Sequence, residues 1–358
     1  MQDCTFAVAP AIVGLDVGDS VTHTCTLDAD RRVLERARFK TTPGHLREMF
    51  GGQAPLKIVL EAGSQSAWMC AELRELGHQV QVADPRKVAL IAKSNRKTDQ
   101  RDSEVLARLG MGAPELIGEV HHRSLADQAD VAMLRARDLC VRMRTKSVQH
   151  VRGTLKVFGV RMRSCSAESF DRLVREVIPE ALQPALEGVL SMLAGLSRQI
   201  RDYDRQLAQI ARERKPEAVR LQQVHGVGPI TSLAFVLTMA DPSRFRRSRT
   251  VGSWVGLAPK VRSSGDRDPE LSITKTGDGY LRRLLVQSAQ YMLGPFGQDS
   301  DLRRFGLRLA ARGGKGAKRG AVVAVARKLA VLLHRLWVTD QPYDPVRQAK
   351  RLEGAAKN

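Results

Sequence analysis

The first third of the chain alternates apolar runs of strand length with segments of helical periodicity. The turn-forming cluster Asp28-Ala29-Asp30 between two such runs predicts a β-hairpin. Strands and helices that alternate after a hairpin are typical of an α/β layered fold. The predicted strands are Ile12–Val17, Val21–Leu27, Val33–Phe39, Ile58–Leu60 and Gln79–Val82, and the predicted helices are Ala67–Leu76 and Asp99–Leu109, which end at Gly77 and Gly110.

The next segment, from about 123 to 214, has no strand pattern. Its first half predicts a basic helix from about Leu125 to Phe158. Its second half, between Pro184 and Pro216, carries apolar residues at alternating spacings of three and four, which is the pattern of a coiled coil or of an antiparallel helical hairpin. Packing within the chain and dimerisation both remain open. The apolar positions are Leu186, Val189, Leu193, Leu196, Ile200, Tyr203, Leu207 and Ile210.

The remainder, from about Leu221 to Trp337, is basic and predicts a mostly helical domain. These changes of pattern divide the chain into four predicted parts. They are an α/β domain over residues 8–115, a helical coiled-coil connector over 120–215, a basic C-terminal domain over 216–340 and a polar tail over 341–358.

Composition narrows the class of partner. The 358 residues carry a formal net charge of +20, which favours a polyanion such as DNA or RNA because lysines and arginines that neutralise phosphates release counterions. No apolar stretch is long enough to span a bilayer, and the start of the chain does not resemble a signal peptide. The five cysteines include no CxxC pair, so we expect no zinc site and a reducing compartment. We predict a cytoplasmic, nucleoid-associated protein.

Four carboxylates stand out in the predicted α/β domain. Asp16 and Glu61 each end an apolar strand, and Asp99 and Asp102 are three residues apart at the start of a predicted helix. If that helix lies against the sheet, all four carboxylates converge. Carboxylate oxygens are the ligands that Mg²⁺ prefers, and a pair of such ions suits phosphodiester chemistry. The sequence therefore predicts a Mg²⁺ site and a nuclease-like activity.

Each carboxylate also has a simpler interpretation when it is taken alone. Asp99 fits a helix N-cap, Asp102 a solvated charge and Glu61 a turn residue. The occurrence of all four together, two of them at strand ends, favours the metal site.

Two motifs in the basic C-terminal region bear on DNA binding. Gly226 and Gly228 lie in Val224-His225-Gly226-Val227-Gly228-Pro229, which resembles the backbone-binding turn of a helix-hairpin-helix; the glycines equally suit a plain turn. We assign no role to His225. Further along, Ser263-Ser264-Gly265 reads by itself as a loop, and no nearby histidine completes a hydrolase triad. The cations that we expect to contact phosphate are Arg262, Lys275, Arg282 and Arg283.

These motifs, in this order, resemble the insertion sequence 110 family of transposases. Gly14-Leu15-Asp16, Leu60-Glu61-Ala62 and Asp99-x-x-Asp102 match its DEDD signature, and Gly256-Leu-x-Pro259, Ser264-Gly265 and Leu281-Arg282-Arg283 match its C-terminal domain. The resemblance implies an RNase H-like, RuvC-like N-terminal domain whose four carboxylates bind Mg²⁺. It also implies that Ser264, or Ser263 if the alignment slips by one residue, is a nucleophile that forms a covalent phosphoserine link with DNA.

The family likeness further implies a noncoding guide RNA and a homo-oligomer, either a dimer or a tetramer, with donor and target DNA as partners. Two alternatives come from other classes of protein. A RuvC-like, structure-selective nuclease would use the acidic site hydrolytically and need no serine. A DNA-architectural protein would explain the charge and leave the four carboxylates without a role.

Overall fold

The protein is described by a computed structural model that covers residues 11–91, 98–261 and 271–347, with all their side chains except those of Leu90 and Ile91. The chain divides into two compact units, Met1–Gln128 and Ala129–Asn358. The described part of the first unit combines a β-sheet with helices, and that of the second is helical apart from one isolated bridge between Pro259 and Ile273. The predicted α/β start and mostly helical remainder are confirmed.

Within the described part of the first unit, five strands form one mixed sheet. They are β1 (Ile12–Val17), β2 (Val21–Leu27), β3 (Val33–Lys40), β4 (Lys57–Glu61) and β5 (Gln79–Ala83). Their order across the sheet is β3-β2-β1-β4-β5. The first three strands form an antiparallel meander, whereas β4 and β5 run parallel to β1. Because β1 and β4 are parallel neighbours, their last residues lie at the same edge of the sheet.

Helices cover both faces of this sheet. They are α1 (Pro43–Phe50), α2 (Ser66–Glu75), α3 (Pro85–Ile91) and α4 (Asp99–Gly112). One core contains Val13, Leu15, Ile58 and Leu60 of the strands with Leu46, Phe50, Met69 and Leu73 of α1 and α2. The other contains Ile12, Cys25 and Val59 with Leu106 and Ala107 of α4. The alternation of side chains along each strand thus supplies two apolar layers.

Gly110 does not end the helix that begins at Asp99, contrary to the prediction. The helix continues to Gly112, and Gly110 is buried against the sheet. A Cβ atom added at Gly110 would lie 2.3 Å from Cγ2 of Val59, so the missing side chain allows close packing. Gly110 therefore marks a close contact between α4 and the sheet and not the end of the helix.

The second unit begins with two long antiparallel helices, α5 (Leu125–Val157) and α7 (Gln183–Arg214), separated by the short helix α6 (Phe170–Arg175). Arg137 pairs with Asp204, and Nη1 of Arg144 lies 3.4 Å from Oγ of Ser197. Residues further along α5 thus contact residues nearer the start of α7. The two helices are therefore antiparallel and form a helical hairpin. Intrachain packing, one of the two predicted alternatives, is therefore present.

The hairpin uses the apolar stripe of α7 only in part. Its buried positions are Leu186, Leu193, Ile200, Leu207 and Ile210. Three further residues of the predicted stripe, Val189, Leu196 and Tyr203, remain partly exposed. The predicted dimerisation through this stripe stays a prediction.

Six helices complete the second unit within its described residues. They are α8 (Pro216–Leu221), α9 (Pro229–Met239), α10 (Val251–Trp254), α11 (Gly279–Leu293), α12 (Asp301–Ala310) and α13 (Gly314–Thr339). The apolar helix α9 lies in the middle of this core, where Leu233 and Phe235 are fully buried. A helix that is apolar on all sides is expected at such a position.

Residues 341–347 differ from the polar tail predicted for 341–358. The backbone N–H of Asp301 donates to the carbonyl of Pro345 over 2.7 Å, and Tyr343 packs against the helical core. Burial raises the pKa of the Tyr343 hydroxyl. Residues 348–358 lie outside the described part of the chain. Within the described residues, no helix combines the length and apolar character that crossing a bilayer requires.

Candidate metal centre and nucleic-acid interface

Asp16 and Glu61 lie side by side at the ends of the two central strands. Leu15 of β1 pairs with Leu60 of β4, so the residues that follow them are neighbours in the same register. In parallel strands such neighbours project from the same face. The predicted proximity of these two strand-terminal carboxylates is therefore what the sheet topology produces.

Gly14 allows α4 to bring its carboxylates to this face. A Cβ atom added at Gly14 would lie 2.0 Å from the backbone oxygen of Ser103 and 2.6 Å from the backbone nitrogen of Ala107. Only glycine fits such an approach. Because Gly14 and Asp16 are two residues apart on one strand, they share a face, and α4 lies over both. The first turn of α4, with Asp99 and Asp102, therefore lies near the strand ends.

An ion-pair network also fixes α4 on the sheet. Nη2 of Arg36 in β3 donates to Oε2 of Glu104 over 2.6 Å, and Arg108 donates to the other carboxylate oxygen over 2.8 Å. Hydrogen bonds from Arg36 and then from Arg108 lower the pKa of Glu104. The network ties the helix that bears Asp99 and Asp102 to the antiparallel side of the sheet.

The electrostatics of Asp16 reflect the other three predicted carboxylates. Its pKa is raised from 3.8 to about 6, first by burial and then by the negative charges of Asp102, Asp99 and Glu61, with His23 opposing the shift. Carboxylates that raise one another's pKa repel one another, and a cation that binds among them reduces this repulsion. The donor set, all oxygen except for one imidazole, fits a divalent metal.

His23 is the member of this site that the sequence did not reveal. It lies on β2 directly opposite Asp16 in the antiparallel register. Potential ligand atoms of Asp16, His23 and Asp99 lie within 4.8 Å of one another, and Nδ1 of His23 is 3.7 Å from Oδ2 of Asp99. The hairpin register contains the signal, because a two-residue turn at Asp19 and Ser20, closed by the N–H of Gly18 donating to the carbonyl of Val21, places residue 23 opposite residue 16.

The glycine turn of the second unit joins α8 to α9. Gly226 has a φ of +88°, and an added Cβ would lie 3.0 Å from Cγ of Met292, so this glycine is required by the fold. Gly228 is exposed at the start of α9, where an added Cβ meets no atom within 4 Å. Nε2 of His225 lies 3.2 Å from the carbonyl oxygen of Phe296, which agrees with a packing role. Of the two glycines, Gly228 is the one accessible to a phosphate.

Lys275 has an unusual backbone conformation. Its φ is +56°, in the left-handed region that favours glycine, and its side chain is exposed. A close crossing of the backbone lies two residues further on, where an added Cβ at Gly277 would lie 2.2 Å from the backbone oxygen of Trp254. An exposed lysine at a strained backbone position is a candidate for a functional side chain.

Arg282 and Arg283 have partners within the protein. Nη1 of Arg282 donates to the carbonyl oxygens of Thr276 over 2.6 Å and Val255 over 3.0 Å. Nη2 of Arg283 donates to Oδ1 of Asp138 on α5 over 2.5 Å. Arg282 therefore holds the loop before α11, and Arg283 joins α11 to the helical hairpin. Their predicted contacts with nucleic acid stay predictions.

The predicted nucleophile Ser264, its alternative Ser263 and the predicted phosphate contact Arg262 lie outside the described residues. The backbone that flanks them is described. The N–H of Lys260 donates to the carbonyl of Ser272 over 3.0 Å, and the N–H of Thr274 donates to that of Ala258 over 2.9 Å. The two ends of the intervening segment are thus held together by antiparallel pairing.

Comparison with known proteins identifies the chain. A sequence profile for DEDD transposases of the insertion sequence 110 type matches residues 13–159, and the profile described as "Transposase IS116/IS110/IS902 family" matches residues 218–300. A transposase for insertion sequence element IS1328 from Yersinia enterocolitica is 30% identical over 283 residues, which cover 78% of this chain and 83% of the relative. The chain belongs to the IS110 family of transposases.

Two other relatives cover similar lengths. A transposase for insertion sequence element IS1111A from Coxiella burnetii is 28% identical over 93% of this chain and 91% of its own length. A pilin gene-inverting protein from Moraxella bovis is 23% identical over 75% of each chain. The IS110-family membership makes this protein a DNA transposase, and the first profile spans all four carboxylates of the acidic site.

Proposed function

We propose that this transposase cuts and rejoins DNA with Mg²⁺ held by Asp16, Glu61, Asp99 and Asp102. The observation that carries the proposal is the cluster of Asp16, His23 and Asp99, whose potential ligand atoms lie within 4.8 Å of one another, with Glu61 at the end of the neighbouring strand. Burial, and then the charges of Asp102, Asp99 and Glu61, raise the pKa of Asp16 to about 6. Such a cluster is costly without a cation and is stabilised by one. When bound, Mg²⁺ supplies charge neutralisation to the attacking and leaving oxygens of a phosphodiester.

We infer that the first unit is an RNase H-like, RuvC-like domain. A three-stranded antiparallel meander extended by two parallel strands, with acids at the ends of the central pair, supports this assignment. The helix that carries the last two acids crosses the same face of the sheet, as the resemblance implies. The strand ends, Gly14 and α4 together hold the carboxylates in position.

The serine step is proposed from the family resemblance. The Oγ atom of Ser264 attacks a DNA phosphorus, an O–P bond forms, and the bond between phosphorus and the 3′-oxygen breaks. The serine proton ends on the released 3′-hydroxyl. A 3′-hydroxyl from the partner strand then attacks the phosphoserine, which restores the serine hydroxyl and conserves the phosphodiester. No nucleotide hydrolysis is needed.

Residues of the second unit would hold the DNA backbone. Lys275 presents an exposed ammonium group from a strained backbone position, and Gly228 leaves the start of α9 open to a phosphate. Such contacts position DNA and carry no sequence information. We propose that target choice rests on a noncoding guide RNA and that the active assembly is a homo-oligomer, with the acidic site and Ser264 supplied across protomers.

The competing function is that of a hydrolytic, structure-selective nuclease. The acidic site alone would be sufficient for it, because metal-assisted hydrolysis of a phosphodiester uses carboxylate ligands and needs no serine. A test that separates the two uses purified protein with donor and target DNA carrying the native flanks of the element. Denaturing gels report whether Mg²⁺-dependent, protease-sensitive protein–DNA adducts form.

We expect an adduct with the wild type, none with Ser264→Ala, and none with Asp16→Asn. Ser263→Ala is the matched control and should retain the adduct. Nicked DNA without an adduct, unchanged in Ser264→Ala, would replace the serine mechanism by hydrolysis. An adduct lost only in Ser263→Ala would move the nucleophile by one residue. If DNA is bound but not cleaved, and the affinity changes neither with Mg²⁺ nor in Asp16→Asn, an architectural protein would be favoured.

A further inference from the structure

The second unit contains a groove that the acidic site and the glycine turn do not account for. Its volume is about 880 Å³, and one side of α13 lies along it between Arg319 and Thr339. The opposite wall combines Phe305 of α12 with the segment that includes Tyr343, and one end reaches Pro259 and Ile273. Those two residues form the bridge at the base of the segment that contains Ser264.

The floor of this groove is apolar although the described residues do not cover it fully. Val323, Val331 and Leu332 line it and are each partly exposed. The other side of α13 is buried in the core through residues such as Leu329 and Leu333. A helix that is apolar on both sides is expected to be covered on both.

The rim of the groove is basic. Among the described residues that line it, six are cations and two are carboxylates, Asp301 and Asp344. The cations are Arg249, Arg319, Arg327, Lys328, Arg335 and Arg347. The ammonium group of Lys328 lies 3.8 Å from the ring centroid of Phe305, so charge and aromatic surface are adjacent. An occupant should therefore be anionic and should also carry apolar, planar groups.

We propose that this groove binds an unpaired strand of nucleic acid, with phosphates on the basic rim and bases against the apolar floor. A duplex is a poorer fit, because its bases are stacked inside and only its phosphates could reach the groove. The inference rests on the proposed DNA-cleaving function. It assigns the unpaired strand to a surface that begins at the base of the segment bearing Ser264.

Charge argues against two other occupants. The last eleven residues, 348–358, contain three cations and one carboxylate, so this segment would bring like charge to the rim. A second copy of the chain carries a net charge of +20. Like-charge juxtaposition disfavours both. The side of α13 that lines the groove spans about 30 Å, which accommodates on the order of five to eight nucleotides.

The test measures binding of the full-length protein by fluorescence anisotropy in EDTA. The probes are a labelled single-stranded oligo-dT and a labelled duplex of the same length. The groove variant is Arg327→Ala with Arg335→Ala. The matched control is Arg198→Ala with Arg201→Ala, two exposed arginines of α7 that do not line the groove.

We expect the groove variant to bind oligo-dT at least about tenfold more weakly, with duplex binding and the control each changed by less than about threefold. The slope of log Kd against log salt for the single strand should fall by about 1.4, since two phosphate contacts are lost. Val331→Asn, which leaves the charge unchanged, should weaken oligo-dT binding without changing that slope.

Equal losses with single strand and duplex, or equal losses in the groove and control variants, would overturn the proposal. So would a groove variant that changes the sedimenting mass and not oligo-dT affinity, because a second copy would then be the occupant. Oligo-dT binding that responds to the groove substitutions only after truncation at Arg347 would identify the C-terminal segment as the occupant in the full-length protein instead. The binding measurements involve no cleavage, so they remain valid if the serine mechanism fails. The adduct assay in turn does not depend on the groove.

Discussion

Asp16 and His23 face each other across the antiparallel ladder of β1 and β2, at the end of the sheet where Glu61 and the first turn of α4 also lie. The imidazole lowers the pKa of Asp16, whereas burial and the other three carboxylates raise it. The hairpin thus adds one nitrogen donor to a site that the sequence predicts from oxygen donors alone.

The raised pKa of Asp16 predicts a pH-dependent effect of Asp16→Asn on stability. The folded chain holds this proton up to about pH 6, whereas the ordinary pKa is 3.8. Stability without metal therefore falls as the pH rises from about 4 to about 6, and the loss persists above that range. We expect Asp16→Asn to raise the Tm by roughly 2–5 °C at about pH 7.5 in EDTA and by little at about pH 4. An equal change at both values would contradict the assigned pKa.

Divalent metal should stabilise the wild type and not the site variants. Saturating Mg²⁺, at about 100 times its Kd, adds about 2.7 kcal/mol to the free energy of unfolding. We expect the corresponding rise in Tm to disappear in Glu61→Gln and in Asp102→Asn. Glu75→Gln, at an exposed position on α2, serves as the control and should respond as the wild type does. A response retained in both site variants would exclude these carboxylates as ligands.

His23 predicts a preference among metals. Imidazole is a better ligand for Co²⁺ than for Mg²⁺, which prefers oxygen. His23→Ala should weaken Co²⁺ binding by about tenfold or more and Mg²⁺ binding by less than about threefold. Titration with Co²⁺, followed by its visible absorption, also reports loss of a nitrogen ligand as a change in the spectrum. Unchanged Co²⁺ affinity and spectrum would show that His23 does not bind the metal.

Gly14→Ala should displace α4 from the sheet. The added Cβ would meet backbone atoms of Ser103 and Ala107, which cannot rotate away. We expect a loss of about 1–3 kcal/mol in the free energy of unfolding, together with weaker Mg²⁺ binding. Gly63→Ala, where an added Cβ meets no atom within 4 Å, is the matched control. Chemical denaturation and metal titration of both variants measure the two effects.

Lys275→Gly should separate folding from DNA binding. Glycine tolerates the φ of +56° better than lysine, so the free energy of unfolding should rise slightly, by about 0.5–1 kcal/mol, after the loss of backbone entropy is included. Affinity for duplex DNA should fall, and the salt slope should decrease by about 0.9 if one phosphate contact is lost. Unchanged affinity would mean that Lys275 does not contact DNA.

Much of the sheet was predictable because alternating apolar residues and turn signals define short strands well. All five strands were located to within one residue at each end. The helix α1 was missed although its start carries a signal: Thr42 caps it by accepting a hydrogen bond from the backbone N–H of His45, and Pro43 occupies its first turn. Capping by one hydroxyl is a weaker pattern than the periodicity that predicts α2 and α4, and α3 likewise lacks such periodicity.

The acidic site was predictable from strand ends and spacing, whereas the functions of individual cations were not. A sequence shows that Arg282 and Arg283 are charged, but it does not show which carbonyl and carboxylate groups accept their hydrogen bonds. Long side chains find their partners through tertiary packing, which spacing along the chain does not encode. The same limit applied to His23, whose place depends on a register set by the turn.

The antiparallel pairing of α5 and α7 gives the second unit an element of fixed length. Thirty-two residues of continuous helix in α7 extend for about 48 Å. Two ion pairs, Arg137 with Asp204 and Arg214 with Asp130, lie at different levels of the hairpin. They oppose sliding of one helix along the other. This length equals about 14 base pairs of duplex DNA, more than one full turn. The hairpin is therefore a rigid spacer within the second unit, and its length is set by its residue count.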